Sequence, residues 1–340
     1  MDSVVIRLHD GRVSSTIPVT RALPRTLTYA ERESGPLVLD LYRPAGDVVV
    51  PVVIWLHGGG WFTGDRTLAP DLWTYFADRG IAMAAIEYRL SGTAVFPAQL
   101  HDVRAAIRFL RAHSDDLGLD GSHIGLWGAS AGGHLAALAG LTGHLAELAD
   151  EGLDGASPAP VVQAVAESYG PVDLLGDMVA PGAPLPGADP RNSPEARLLG
   201  GLATERPVVA TSASPHRLVT DSAPPFQISH GTADVLVPPD HSALLFDTLV
   251  AHSVTANLYL VDDYRHGFLN PPGRLDVAMA QVMDDGRLTT EGSAPATLRS
   301  SSEPGSPLRT VFTFDVVGRF FEHHLMRSTT ETPFPQKDFA

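Results

Sequence analysis

Three residue types able to share one reaction stand far apart in this 340-residue chain: Ser130 in "GLWGASAGGHLAAL" (125–138), Asp234 in "SHGTADVLVPP" (229–239) and His266 in "DDYRHGFLN" (262–270). A serine hydroxyl attacks poorly at neutral pH unless an imidazole takes its proton and a carboxylate fixes that imidazole's tautomer. The chemistry open to such a set is acyl transfer from a carbonyl onto Ser130. Glycines at 128, 132 and 133 crowd the serine, as expected where a nucleophile sits on a sharp strand-to-helix turn that tolerates few side chains nearby. The pentapeptide alone is a weak signal, because Gly and Ala also serve helix packing.

Asp234 is preferred as the acid over Asp240, which suits the N-cap of a following helix. His266 is preferred as the base over His230, which precedes the acid and suits a role in orienting its loop. "HGGGW" (57–61) supplies the remaining requirement. An acyl-transfer intermediate bears an oxyanion that needs backbone N–H donors, and successive glycines let the backbone come close. Gly59 and Gly60 are the expected donors, with Ala131 giving a third from the residue after the serine. His57 is expected to hold the loop through hydrogen bonds. Trp61, Tyr169 and Phe268, and less specifically Trp73, are candidate pocket walls, though each also suits an ordinary core.

The elements that must position these residues alternate between strand and helix patterns from about 50 to 265, the signature of an α/β fold with a mainly parallel sheet. Strands are expected at 48–56, 81–88, 123–127, 161–169, 225–230 and 256–263, after an antiparallel pair at 26–31 and 37–44. Val103, Ala106, Ile107 and Leu110 have helical spacing, with Arg104, Arg108 and Arg111 on the other side. Ser130, Asp234 and His266 each follow a strand, so in an open parallel sheet they gather at its carboxyl edge. Two excursions break the alternation. Residues 172–215 hold Pro181, Pro184, Pro186 and Pro190 and read as a stiff lid. Residues 270–307 read as a second lid-like insertion with a mobile part at 300–306. Val311, Phe314, Val317, Phe320 and Phe321 then read as one stripe of a closing helix. The whole, 1–340, is expected to be one domain without internal repeats.

Composition bounds the function. With 44% hydrophobic residues the chain can bury a large core, and a formal net charge of −15 opposes nucleic-acid or anionic-membrane partners. The richest apolar run is broken by Pro51 and His57, so no membrane span is expected. The first residues lack a basic region leading into an apolar one, so a cytoplasmic protein is expected. There are no cysteines, which excludes thiolate chemistry, and the 14 histidines are scattered without metal-ligand spacing. His323 and His324 suit a solvated helix face.

Together, HGGGW, "EYRL" (87–90), GASAGG, HGTAD and HGF resemble the α/β-hydrolase superfamily, specifically its esterase/lipase branch, over roughly residues 25–325. The resemblance implies a cofactor-free serine carboxylester hydrolase with a small lid and a small-molecule ester as its substrate. The connection 270–307 is longer than the family's usual one. Two other readings stay open: an amidase or arylformamidase using the same machinery, and a binding protein that keeps the fold without turnover. No element of the machinery is missing, which favours the enzyme. With no basic amphipathic helix for membrane docking, short or medium acyl chains or an aromatic acyl group are expected. The oligomeric state is open, a homodimer included.

Overall fold

A computed structural model describes residues 23–145, 159–182, 189–274, 279, 281–303, 305 and 307–326, together with the backbone of 3–7 and 13–18. β1 (Ser3–Arg7) and β2 (Val13–Pro18) pair antiparallel as a separate two-stranded sheet. The first half of the main body runs β3 (Arg25–Arg32), β4 (Gly35–Tyr42), β5 (Val50–Leu56), α1 (Leu72–Tyr75), β6 (Ala82–Ile86), α2 (Ala98–Ala112), α3 (Ser114–Leu117), β7 (Leu119–Ala129) and α4 (Ala131–Thr142). The second half runs β8 (Ala164–Ser168), α5 (Pro194–Leu199), α6 (Pro207–Ser212), β9 (Phe226–Gly231), α7 (Asp240–Ala251), β10 (Ala256–Val261), α8 (Arg287–Glu291), β11 (Ala294–Ser300), β12 (Leu308–Phe312) and α9 (Phe314–Leu325).

Ten strands form one sheet in the order β12-β11-β10-β9-β8-β7-β5-β6-β4-β3. From β6 to β10 the neighbours are parallel, and an antiparallel hairpin closes each end. This is the mainly parallel α/β sheet that the alternation predicts. The strand order reverses around β5, which lies between β6 and β7 although it precedes both in the chain. In such sheets ligands bind beyond the carboxyl ends of the strands at that reversal.

β5 is buried along all seven residues, and its alternation divides them between two cores. Val52, Ile54 and Leu56 join one with α2 and α4; Val53 and Trp55 join the other with α9. Trp55 lies opposite Trp127 in register, their rings 4.5 Å apart and edge to face. Gly125 leaves room for α9, since a Cβ there would come 2.7 Å from the Phe321 ring. α2 departs from its expected amphipathic split: Arg104 is buried and donates to the Thr142 hydroxyl at 2.8 Å. A guanidinium that finds oxygen acceptors can be buried.

The excursions carry more regular structure than their composition suggests. In 172–215, Leu198, Leu199, Ala210 and Ala213 are buried and α5 and α6 are regular, so this segment is packed onto the main core. Pro184 and Pro186 lie outside the described residues. The second excursion contains sheet: β11 and β12 extend the main sheet beyond β10, and the stretch read as mobile, 300–306, starts at the end of β11 and runs between the two strands, where the Ser301 N–H donates to Ala256 O at 2.9 Å. Backbone pairing, which composition does not register, builds the two strands; Pro304 and Ser306 lie outside the described residues. Val311 belongs to β12 and is half exposed, and the closing helix starts only at Phe314, capped by Thr313.

Candidate active site

β7 turns into α4 through Ser130, at φ 55° and ψ −120°. A non-glycine residue there costs on the order of 1–3 kcal/mol and persists only when its surroundings hold it. The Ser130 N–H donates to Ser168 O at 2.8 Å, and His134 N–H to Ser130 O at 2.9 Å. The flanking glycines make the turn possible. A Cβ on Gly128 would stand 2.1 Å from Gly132 O, and one on Gly132 would stand 2.0 Å from Leu56 O. Backbone thus meets backbone where β5 ends and α4 begins.

The structure brings Ser130, His266 and Asp234 together. His266 Nε2 lies 2.7 Å from Ser130 Oγ, and its Nδ1 lies 2.7 Å from Asp234 Oδ2. A carboxylate oxygen only accepts, so Nδ1 carries the proton and Nε2 is free to accept from the serine hydroxyl. Asp234 Oδ1 accepts the N–H groups of Leu236 and Val237 at 2.9 and 3.0 Å. Burial pushes the Asp234 carboxyl up, but the His266 and His230 imidazoles outweigh it and hold it well below the usual carboxylate range. Asp240 is exposed and is the first residue of α7, after Pro239, rather than its N-cap. His230 is fully buried, its nitrogens on Ser242 Oγ and Val237 O at 2.7 and 2.9 Å. The His266 loop is braced from below: Asp284 N–H donates to His266 O at 2.7 Å, and Asp284 Oδ2 accepts Arg265 N–H at 2.8 Å.

Gly59 and Gly60 both take positive φ, 109° and 57°. Among the described residues, the N–H groups of Gly59, Gly60 and Ala131 donate to no protein acceptor. The loop closes over the serine, since a Cβ on Gly58 would come 3.4 Å from Ser130 Cβ. His57 holds it as expected. Its ring stacks on Tyr88 at 4.4 Å, Tyr88 donates to His57 O at 2.8 Å, and burial lowers the His57 imidazole to about 4.

The expected pocket walls are not walls. Trp61, Tyr169 and Phe268 are each at most 1% exposed. Trp61 donates its indole N–H to His134 Nδ1 at 3.2 Å, and Tyr169 packs between Phe268 and His266 at 4.7 and 5.0 Å. Aromatic bodies this large are drawn under the site as core, where they back the imidazole instead of meeting solvent. Trp73 packs edge-on against Tyr42 on β4. Among the described Phe, Tyr and Trp residues the ring most open to solvent is Phe62, with Arg197 of α5 over its face at 4.9 Å. It lines a cleft of about 380 Å³ beside the glycine loop with Leu68, Leu90, Asp65 and Arg274. Its place directly after HGGGW was the available signal. Among the described residues no group of three or more His, Cys, Asp or Glu is placed to hold a metal, and no helix is long and apolar enough to cross a membrane.

Comparison with known proteins identifies the family. The BD-FAE family model matches residues 39–249. The chain is 32% identical to esterase LipC of Mycobacterium tuberculosis, over 66% of this chain and 52% of that protein. It spans about half the length of LipC and of two further mycobacterial relatives. A truncated carbohydrate esterase from gut microbiota superposes with a TM-score of 0.62 at 29% identity, covering 74% of this chain and 92% of that one. A propionate-bound esterase, Est2 of Thermogutta terrifontis, gives 0.61 at 26%, covering 78% and 92%. With its sheet order, its serine turn and a family match over most of its length, the chain belongs to the BD-FAE family, in the esterase/lipase branch of the α/β-hydrolases.

Proposed function

We propose that this chain hydrolyses carboxylic esters through an acyl-enzyme on Ser130. The observation that carries the reading is the unbroken path Ser130 Oγ, His266, Asp234, with 2.7 Å at each step. His266 takes the hydroxyl proton as Oγ attacks the ester carbonyl, and returns it to the departing alcohol. Water then attacks the acyl-enzyme, with His266 again as base. Asp234 holds the imidazole tautomer and stabilises the imidazolium, while the N–H groups of Gly59, Gly60 and Ala131 receive the oxyanion. No cofactor enters this scheme.

We read the chain as one domain in which 172–215 and the first part of 270–307 border the site and limit substrate size. Short or medium acyl chains, or an aromatic acyl group, are the favoured substrates. The open Phe62 ring beside the glycine loop supports this choice, as does the propionate held by the Thermogutta terrifontis esterase. Nothing specific favours an amide substrate.

Ser130→Ala is expected to lower turnover of p-nitrophenyl esters about a thousandfold or more while the circular dichroism spectrum is kept. A fluorophosphonate probe should label Ser130. A variant keeping a tenth of the activity, or a label elsewhere, overturns the reading. Esters of increasing acyl length, assayed beside an aryl formamide, place the acyl preference, and faster turnover of the formamide would replace the ester by an amide.

A further inference from the structure

Behind the site lies a buried polar chain that the reaction above leaves unused. Glu167 on β8 is fully buried, and its Oε1 accepts the Gly170 N–H. Its Oε2 lies 3.4 Å from Ser242 Oγ on α7, and Ser242 Oγ lies 2.7 Å from His230 Nδ1. His230 Nε2 in turn faces Val237 O at 2.9 Å and Asp234 Oδ2 at 3.3 Å. Glu167, Ser242 and His230 are all completely enclosed.

With a neutral imidazole, counting donors and acceptors along this chain leaves one placement of its protons. Val237 O and a carboxylate oxygen can only accept, so His230 Nε2 carries the hydrogen, bonding Val237 O and facing Asp234 Oδ2 at 3.3 Å. In a neutral imidazole Nδ1 then accepts, which turns the Ser242 hydroxyl toward it. Ser242 Oγ is left as an acceptor, and a protonated Glu167 is the group placed to donate to it. Burial favours that neutral carboxyl, raising Glu167 to about 8. If the proton left Glu167, the hydroxyl would reverse and His230 would need a second proton, placing a cation against Asp234. The other titratable groups facing this chain are His241 on α7, Tyr169 after β8, and His266; Asp173, His216 and Asp240 face His241, and Asp284 faces Tyr169.

We propose that His230 is a positioning residue for the triad: it presents its Nε2 hydrogen to the Asp234 oxygen that holds His266, and Ser242, held between it and Glu167, fixes the tautomer in which it can do so. The inference rests on the esterase reading above. A donor on Oδ2 limits where the carboxylate can swing and draws off part of its charge. Removing it should therefore misplace His266 and also make Asp234 a stronger partner for the imidazolium.

The test is the pH profile of p-nitrophenyl acetate hydrolysis in His230→Leu, His230→Gln, Ser242→Ala and Glu167→Gln. His230→Leu is expected to lower kcat by up to about 100-fold, the cost of a misplaced catalytic group, with KM within about twofold. Its acid limb in kcat/KM should move upward by about half a pH unit or more, because the imidazolium gains stabilisation. His230→Gln restores a donor to Asp234 and should recover most of kcat. Ser242→Ala, the smallest change, should shift the acid limb in the same direction. Glu167→Gln keeps a donor to Ser242 and should leave kcat within a few-fold. A folded His230→Leu with kcat and acid limb unchanged overturns the proposal. If that variant does not fold, an unchanged acid limb in Ser242→Ala does so. A wild-type protein with neither hydrolysis nor phosphonate labelling at Ser130 would instead overturn the esterase reading itself.

Discussion

Glu167 carries a stability cost whose sign can be worked out. Burial raises its carboxyl from 4.5 in the unfolded chain to about 8 in the fold. A group whose folded pKa is raised contributes stability that is complete below the unfolded value and is lost as pH rises through the folded one. The protein should therefore lose stability between about pH 4.5 and 8, on the order of a few kcal/mol at most. Glu167→Gln removes the titration, so its urea midpoint should fall less than that of wild type over this window. Parallel pH dependence in the two proteins would refute the assignment. The residues legible from sequence were those tied to local turns: Ser130 among its glycines, and Asp234 and His266 after strand-like runs. Glu167 and Ser242 were not legible, because they meet across 75 positions through the packing of α7 on the sheet, a relation no local pattern carries.

At the scale of elements, the hairpin β11–β12 changes what an engineer should cut. The segment 301–307 joins strands paired through Leu298 and Leu308, at the end of the sheet away from the β5 reversal. Replacing 302–306 by a short glycine-containing turn should leave acetate-ester kcat within about twofold, as a surface-loop change far from the reacting atoms. Removing 292–306 deletes β11, with the buried Ala294 and Ala296, and exposes the β10 edge. Its thermal midpoint should fall by several degrees or the chain should precipitate. Equal thermal midpoints for the two deletions would mean that β11 contributes nothing to the sheet. The strand at 50–56 was readable because both its faces are buried, leaving a continuous apolar run. β11 and β12 were hidden because strands at the margin of a sheet, with half-exposed faces, carry Ser, Thr and Arg, which composition assigns to a loop. The 172–215 helices were only partly legible, since α5 and α6 are one to two turns long.

The whole molecule is assembled in an order its sheet does not follow. β5 gives Ile54 to a core built with α2 and α4, and Val53 to a core closed by α9, the last helix of the described chain. On a ribosome adding about 5–20 residues per second, those two faces of one strand are covered many seconds apart. Early chains therefore carry a finished side and an open side, with Trp55 and Trp127 on the open one. The absence of native cysteine permits a direct reading. In chains stalled after Val261, with a linker clearing the exit tunnel, a cysteine replacing Ile54 should resist alkylation while one replacing Val53 reacts. In the full chain both should resist. Protection of both in the stalled chain would mean that the second face closes without α9. Otherwise, the open face is where a chaperone would be needed during synthesis, and where substitutions in the final helix would lower yield before they altered any folded property.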